Sequence, residues 1–248
     1  SRMKICDYID NNISEEGAVH LSLIDPDEQS QEEAGEMALS AEEGGTDGIM
    51  IGGSTSAGGE LLNKTIMEIN KRSELPKILF PGSAGGVSKE ADAIFFMSLL
   101  NSTDTRFLIG AQKKGAPFVK KFGIEPISMA YLIVEPGGTA GKIGKADLIS
   151  RDDVESAVAY SLASQYFGMS TVYLEAGSGA DEPVPLKMVK AIRESIDSRI
   201  VVGGGIKSPE AAAERVKAGA DIIVTGTLLE SSGSDPQSIE GLVKAIKD

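Results

Sequence analysis

The chain has 248 residues, a formal net charge of −13, 41% hydrophobic residues, 29 glycines, one cysteine and one histidine. One Cys and one His exclude an internal disulfide and a four-ligand Cys/His zinc site. The acidic balance, with no basic cluster standing out, argues against duplex nucleic acid as a partner. It leaves room for a phosphorylated small molecule held by backbone N–H groups.

Eight short apolar runs alternate with amphipathic stretches, as expected of parallel strands covered on both faces. In chain order, strand 19–24 precedes a helix over 29–43, and strand 48–51 precedes a helix over 57–72. Strand 78–80 is followed after only twelve residues by strand 93–99. The intervening "PGSAGGVSKEAD" has three glycines and a proline. It is too broken for a helix, so an irregular connection is expected there, with an uncovered barrel side serving as a groove or interface. A helix over 105–120 leads to strand 129–134, and a helix over 152–167 to strand 171–174. Helices over 184–195, 208–218 and 236–247 then alternate with strands 200–202 and 221–225. Ser208-Pro209-Glu210 reads as an N-cap with proline in the first turn.

The pattern predicts a single α/β domain over residues 1–248, a modified (β/α)₈ TIM barrel lacking the helix between strands 3 and 4. A doubly wound open sheet is the rival fold. It is disfavoured because the first strand ends in "LIDPDE", with no GxGxxG, and the glycine signatures come late. No run of 18 apolar residues and no signal-peptide pattern occur, which predicts a soluble, cytoplasmic protein.

Three late strands run into small residues: "YLEAGSG" at 173–179, "VVGGGIKSPE" at 201–210 and "IIVTGTLLE" at 222–230. At the mouth of a barrel these turns point backbone N–H groups at one place, which suits a phosphate. One such turn is ordinary chain reversal; three on consecutive strands predict an anion site. Asp25 and Asp27 follow the first strand and Pro26 restrains the chain between them. Either can serve chemistry or a metal, and capping the next helix is the competing reading for Asp27. Ser54, Thr55 and Ser56 end the second strand and offer hydroxyl ligands or a helix cap. His20 lies within a strand and reads as a core or rim residue.

Glu175 follows an apolar strand directly and precedes Ala176-Gly177, with nothing around it resembling a solvated helix face. It is the candidate base, with Tyr173 beside it on the same side of the strand. Pairing with a lysine such as Lys207 is the structural alternative. Glu135 ends the fifth strand similarly, and the loop 136–146, with Lys142 and Lys145, reads as a mobile cover over the site.

The pieces "HLSLIDPD", "DGIMIGGSTS", "YLIVEPGG", "YLEAGSG", "VVGGGIKSPE" and "VTGTLLE" together resemble the geranylgeranylglyceryl phosphate synthases and the related bacterial heptaprenylglyceryl phosphate synthases. The resemblance covers nearly the whole chain. It implies Mg²⁺-dependent transfer of a geranylgeranyl group from geranylgeranyl diphosphate to the C3 hydroxyl of sn-glycerol 1-phosphate, the first ether bond of archaeal membrane lipids. By motif, Asp25 and Ser54 would hold Mg²⁺. Tyr173, Leu174, Glu175, Ala176, Gly177, Ser178, Gly179, Gly204, Gly205, Gly226 and Thr227 would hold sn-glycerol 1-phosphate. Glu28 stands where the family commonly has lysine, so Lys142, Lys145 or Lys207 would have to meet the diphosphate.

A long apolar donor needs a groove, and Phe95, Phe96, Leu99 and Leu100 are its candidate walls; ordinary core is their alternative role. The runner-up activity is the same transfer with a donor of another length. A phosphosugar isomerase or aldolase would need an acid/base pair or a Schiff-base lysine, and no lysine is apparent within a strand. A non-catalytic phosphometabolite-binding subunit would need neither Asp25 nor a groove. The bare barrel side predicts a homo-oligomer, and release of a lipid product implies transient contact with a membrane surface.

Overall fold

The computed structural model describes residues 3–52, 59–226 and 236–247. Eight parallel strands close into a barrel in sequence order: β1 (Val19–Ile24), β2 (Gly48–Ile51), β3 (Lys77–Leu79), β4 (Ala93–Leu99), β5 (Glu125–Ile133), β6 (Thr171–Glu175), β7 (Arg199–Gly203) and β8 (Ile222–Thr225). The helices are α1 (Ile5–Glu16), α2 (Gln31–Glu43), α3 (Gly59–Arg72), α4 (Ala111–Phe122), α5 (Gly138–Ile143), α6 (Val154–Tyr166), α7 (Leu186–Ser195), α8 (Pro209–Ala218) and α9 (Pro236–Ile246). A π-turn over Arg106–Gly110 precedes α4. No helix separates β3 from β4.

Strand alternation sorts the core into layers. Leu21, Met50, Ile78, Phe95, Met129, Tyr131, Tyr173, Val201 and Val224 fill the interior. Val172, Leu174, Ile200 and Val202 point outward onto α7, meeting Met188, Val189 and Ile192. Ile24, Ile49, Ile51 and Leu79 meet α2 and α3 in the same way. Local signals set several helix ends. Ser30 and Glu33 form a reciprocal capping box at α2, and Ser208 caps α8 with Pro209 in its first turn. The cap of α2 therefore falls on Ser30 and not on Asp27.

Helix α1 and the lysine that opens β3 escape the sequence reading. Helix α1 packs Ile5 and Ile9 against the barrel interior. Its first N–H groups, of Ile5 and Cys6, donate to the Glu125 carboxylate at 2.6 and 3.1 Å. Asp10 pairs with Arg199 at 2.5 Å. Glu125 and Arg199 begin their strands, so α1 closes the end of the barrel opposite its C-terminal mouth. Strand β3 also opens on a lysine the sequence reading did not place in a strand. Lys77 is buried and donates to the Ser73 carbonyl at 2.6 Å. It too sits at the closed end, away from the mouth.

Candidate active site

The parity of β6 turns Tyr173 inward and leaves Glu175, two residues on, lining a cavity of about 430 Å³ at the mouth. Register places Tyr131 beside Tyr173 and Gly203 beside Glu175. Three aromatic rings make the floor. Tyr173 stacks on Phe80 at 5.3 Å, and Tyr131 meets both rings edge-on, at 5.4 Å from Phe80 and 5.1 Å from Tyr173. Tyr173 is 1% exposed. A side chain at Gly203 would come within 2.1 Å of its hydroxyl, so that glycine makes room for the ring.

Glu175 is 8% exposed. One carboxylate oxygen accepts from the Tyr131 hydroxyl at 2.8 Å and the other from the Gly177 N–H at 3.2 Å. No Lys or Arg pairs with it among the described residues; Lys207 is exposed and lies 3.7 Å from Asp181 instead. Burial pushes its pKa up, and the bonds from Tyr131 and Gly177 pull part of that back. Burial, and then the charge of Glu175, hold the Tyr131 phenol well above its usual range, so Tyr131 stays a donor. Tyr131 belongs to the site, and the sequence reading missed it. A partial signal was available, since Tyr131 opens "YLIVEPGG" as Tyr173 opens "YLEAGSG".

The turns after β6 and β7 fold into one cradle. Gly177 and Gly204 have φ of 105° and 83°. A Cβ at Gly204 would lie 2.6 Å from the Glu175 carboxylate and 2.7 Å from the Gly177 nitrogen, so only glycine lets the turns touch. Among the described residues, the N–H groups of Ser178, Gly179, Gly204 and Gly205 donate to no backbone carbonyl. Ser178, Gly204, Gly205 and Gly226 line the cavity. Four unspent donors beside a mouth fit an anion. Leu174 and Ala176 send their side chains into the outer layer and can offer only backbone. Thr227 lies outside the described residues.

Asp25, half-buried, lines the cavity beside the exposed Glu28, and accepts from the Asp27 N–H at 3.0 Å. No group of three or more His, Cys, Asp or Glu is placed to hold a metal among the described residues. One carboxylate at the cavity still suits Mg²⁺ that arrives on a diphosphate, since Mg²⁺ takes much of its shell from phosphate and water. Ser54, Thr55 and Ser56 lie outside the described residues. Glu135 is exposed and does not line the cavity; the register partner of Glu175 on β5 is Ile133. His20 is fully buried between two hydroxyls, Thr46 at Nδ1 and Thr225 at Nε2, each 2.8 Å away.

The cavity continues sideways where the barrel lacks its helix. Pro81, Ala84 and Val87 form one lip, and Phe107, Ala111 and Gly115 the other. Phe95 and Leu99 point into the barrel and Phe96 outward; all three line this space, whereas Leu100 packs on the outer layer. The loop 136–146 folds as α5, whose Thr139, Ala140 and Ile143 cover part of the cavity. Its lysines face solvent, and Lys145 pairs with Asp104 at 3.0 Å.

The PcrB family profile matches residues 11–247. The chain is 52% identical over 246 residues to the geranylgeranylglyceryl phosphate synthase of Methanococcoides burtonii, covering 99% of this chain and 100% of that one. It is 56% identical over 231 residues to the synthase of Pyrococcus horikoshii, covering 93% and 91%. The crystal structure of (S)-3-O-geranylgeranylglyceryl phosphate synthase from Thermoplasma acidophilum, in complex with substrate sn-glycerol-1-phosphate, superposes with a TM-score of 0.96 at 43% identity, covering 99% of each chain.

Proposed function

This chain belongs to the geranylgeranylglyceryl phosphate synthase family, and we propose that it transfers a geranylgeranyl group from geranylgeranyl diphosphate to the C3 hydroxyl of sn-glycerol 1-phosphate. The observation that carries this reading is a buried carboxylate without a cation, Glu175, set between a nest of unspent N–H groups and an apolar lateral cavity.

The acceptor phosphate sits on the turns at 177–179 and 204–205 and beside Gly226, and the motif adds Thr227 to them. Glycerol phosphate is short, so its far hydroxyl then lies toward Glu175. Glu175 orients that hydroxyl and takes its proton as the new C–O bond forms and the bond from the allylic carbon to diphosphate breaks. Tyr131 holds the carboxylate in place, and Tyr173 packs the floor beneath the acceptor. Phe95, Phe96 and Leu99 wall the donor tail.

Asp25, with Ser54, would hold Mg²⁺, which when bound would neutralise charge on the departing diphosphate. Asp25→Asn keeps the shape and removes that charge. Donor use then needs far more Mg²⁺ while acceptor binding holds; equal Mg²⁺ dependence in variant and parent refutes the assignment. The bare barrel side leads us to a homo-oligomer, which a monomer at micromolar concentration in sedimentation would refute. No helix among the described residues is long and apolar enough to cross a membrane.

The reaction is tested by mixing sn-glycerol 1-phosphate with prenyl diphosphates of graded length and weighing the products. We expect the geranylgeranyl ether to form fastest. A faster ether of another length moves the donor assignment, and no ether from any donor overturns the function.

A further inference from the structure

Between Asp104 and Glu125 the chain carries Arg106, Lys113, Lys114, Lys120 and Lys121 and no acidic residue, in a protein of net charge −13. In the sequence these cations fall in separate pieces and none stands out as a cluster. The π-turn and α4 gather them. Gly115 and Val119 are the buried side of α4, and all five cations are exposed. None of the four lysines is ion-paired among the described residues. Arg106 lies 3.5 Å from Asp104 and over the Phe107 ring. The same segment exposes two large apolar side chains, Ile109 at 64% and Phe118 at 50%.

Soluble surfaces usually intersperse the two signs of charge. Here unneutralised lysines flank exposed apolar groups along one helix, the composition of an element lying at a lipid interface. The other side of this segment is a wall of the cavity through Phe107, Ala111, Gln112 and Gly115. One short stretch therefore faces the apolar cavity with its inner side and solvent with a cationic, apolar outer side.

We propose that the outer face of the π-turn and α4 docks on an anionic lipid bilayer, holding the lip of the cavity formed by this segment at the membrane surface. Charge selects this occupant. A second copy docked by the same face would bring lysines against lysines. A nucleic acid has no place for Ile109 and Phe118, and the acidic remainder of the molecule repels a polyanion that curves around it. A flat bilayer meets one face only: headgroups take the lysines, whose stems reach along the surface, and Ile109 and Phe118 enter the acyl boundary.

The test is co-sedimentation of the intact protein with vesicles, which has no catalytic readout and so stands apart from the prenyl-transfer reading. One set is phosphatidylcholine alone; in the other about a third is phosphatidylglycerol. The parent is expected to pellet with the anionic set at low salt and to be released by about 0.5 M salt. Reversing the four lysines (Lys113→Glu, Lys114→Glu, Lys120→Glu, Lys121→Glu) is expected to lower the partition coefficient at least roughly tenfold. Reversing Lys187, Lys190 and Lys217 on α7 and α8 is expected to change it little, which separates this face from total charge. Ile109→Ser with Phe118→Ser should weaken the partition at low salt. A parent that stays in the supernatant with anionic vesicles overturns the proposal. So does partition that is equal in the α4 and α7/α8 variants. Self-association lost in Phe118→Ser with vesicle partition unchanged would assign the face to a second copy instead.

Discussion

Two buried carboxylates sit at opposite ends of this barrel, and their partners differ. Asp47, at the closed end, has Lys247 Nζ 2.6 Å from its side chain and accepts from the His20 N–H at 2.8 Å. Lys247 also pairs with Glu16. Glu175, at the mouth, has a phenol and one backbone amide and, among the described residues, no cation. Burial raises both acids, but at Asp47 the ammonium of the half-buried Lys247 opposes the rise, whereas at Glu175 neutral donors do. A carboxylate that holds the fold is matched with a countercharge. One that must take a proton is left unmatched.

Substituting each acid by its amide separates the two roles. Glu175→Gln should lower turnover by roughly 10²-fold or more while the fold and acceptor binding survive, the size of a lost general base. Assay at saturating substrates checks it, and near-parental turnover places the base elsewhere. Gly204→Ala should weaken sn-glycerol 1-phosphate binding by at least roughly tenfold in calorimetry. The added Cβ pushes on Glu175 and on the Gly177 nitrogen, and φ there is positive. Asp47→Asn should cost on the order of 2 kcal/mol in denaturant unfolding, because Lys247 loses its buried partner and keeps only the exposed Glu16, and leave turnover per folded molecule unchanged. An Asp47 variant as inactive as the Glu175 variant would erase the distinction.

The last comparison concerns the acid side of stability. Burial first, and then the charge of Lys247, lower the His20 pKa from 6.5 to about 3. The folded state thus prefers neutral histidine. Its contribution is complete above pH 6.5 and drains away as pH falls toward 3. His20→Gln should therefore show a shallower fall in melting temperature between those limits than the parent. Parallel curves would mean that His20 titrates alike in both states.

Much of this was readable from the chain because the decisive signals were local. The strand alternation, the Ser208-Pro209 cap and the broken stretch 81–92 follow from neighbouring residues, and so do the three glycine turns. What escaped depends on distant partners. Helix α1 is capped by Glu125, 119 residues further on, so its start carries no local mark. Gly203 reads as a turn residue until the Tyr173 ring is placed against it. Tyr131 lay inside a recognised motif, yet its role needs the register between β5 and β6. Leu100, Leu174 and Ala176 were near the site in sequence, but strand parity and the barrel wall turn their side chains away.

The central claim is that Glu175 works as an unmatched base whose proton affinity is set by burial and trimmed by Tyr131. The pH dependence of kcat in the parent and in Tyr131→Phe tests it most directly. The base must be ionised, so kcat should rise with pH through an apparent pKa above the ordinary glutamate value. Removing the phenol takes away a bond that favours the ionised form, so that limb should move to higher pH in Tyr131→Phe while the plateau stays within a few-fold of the parent. A limb at the ordinary glutamate position in both proteins, or one unmoved by the substitution, would contradict the account.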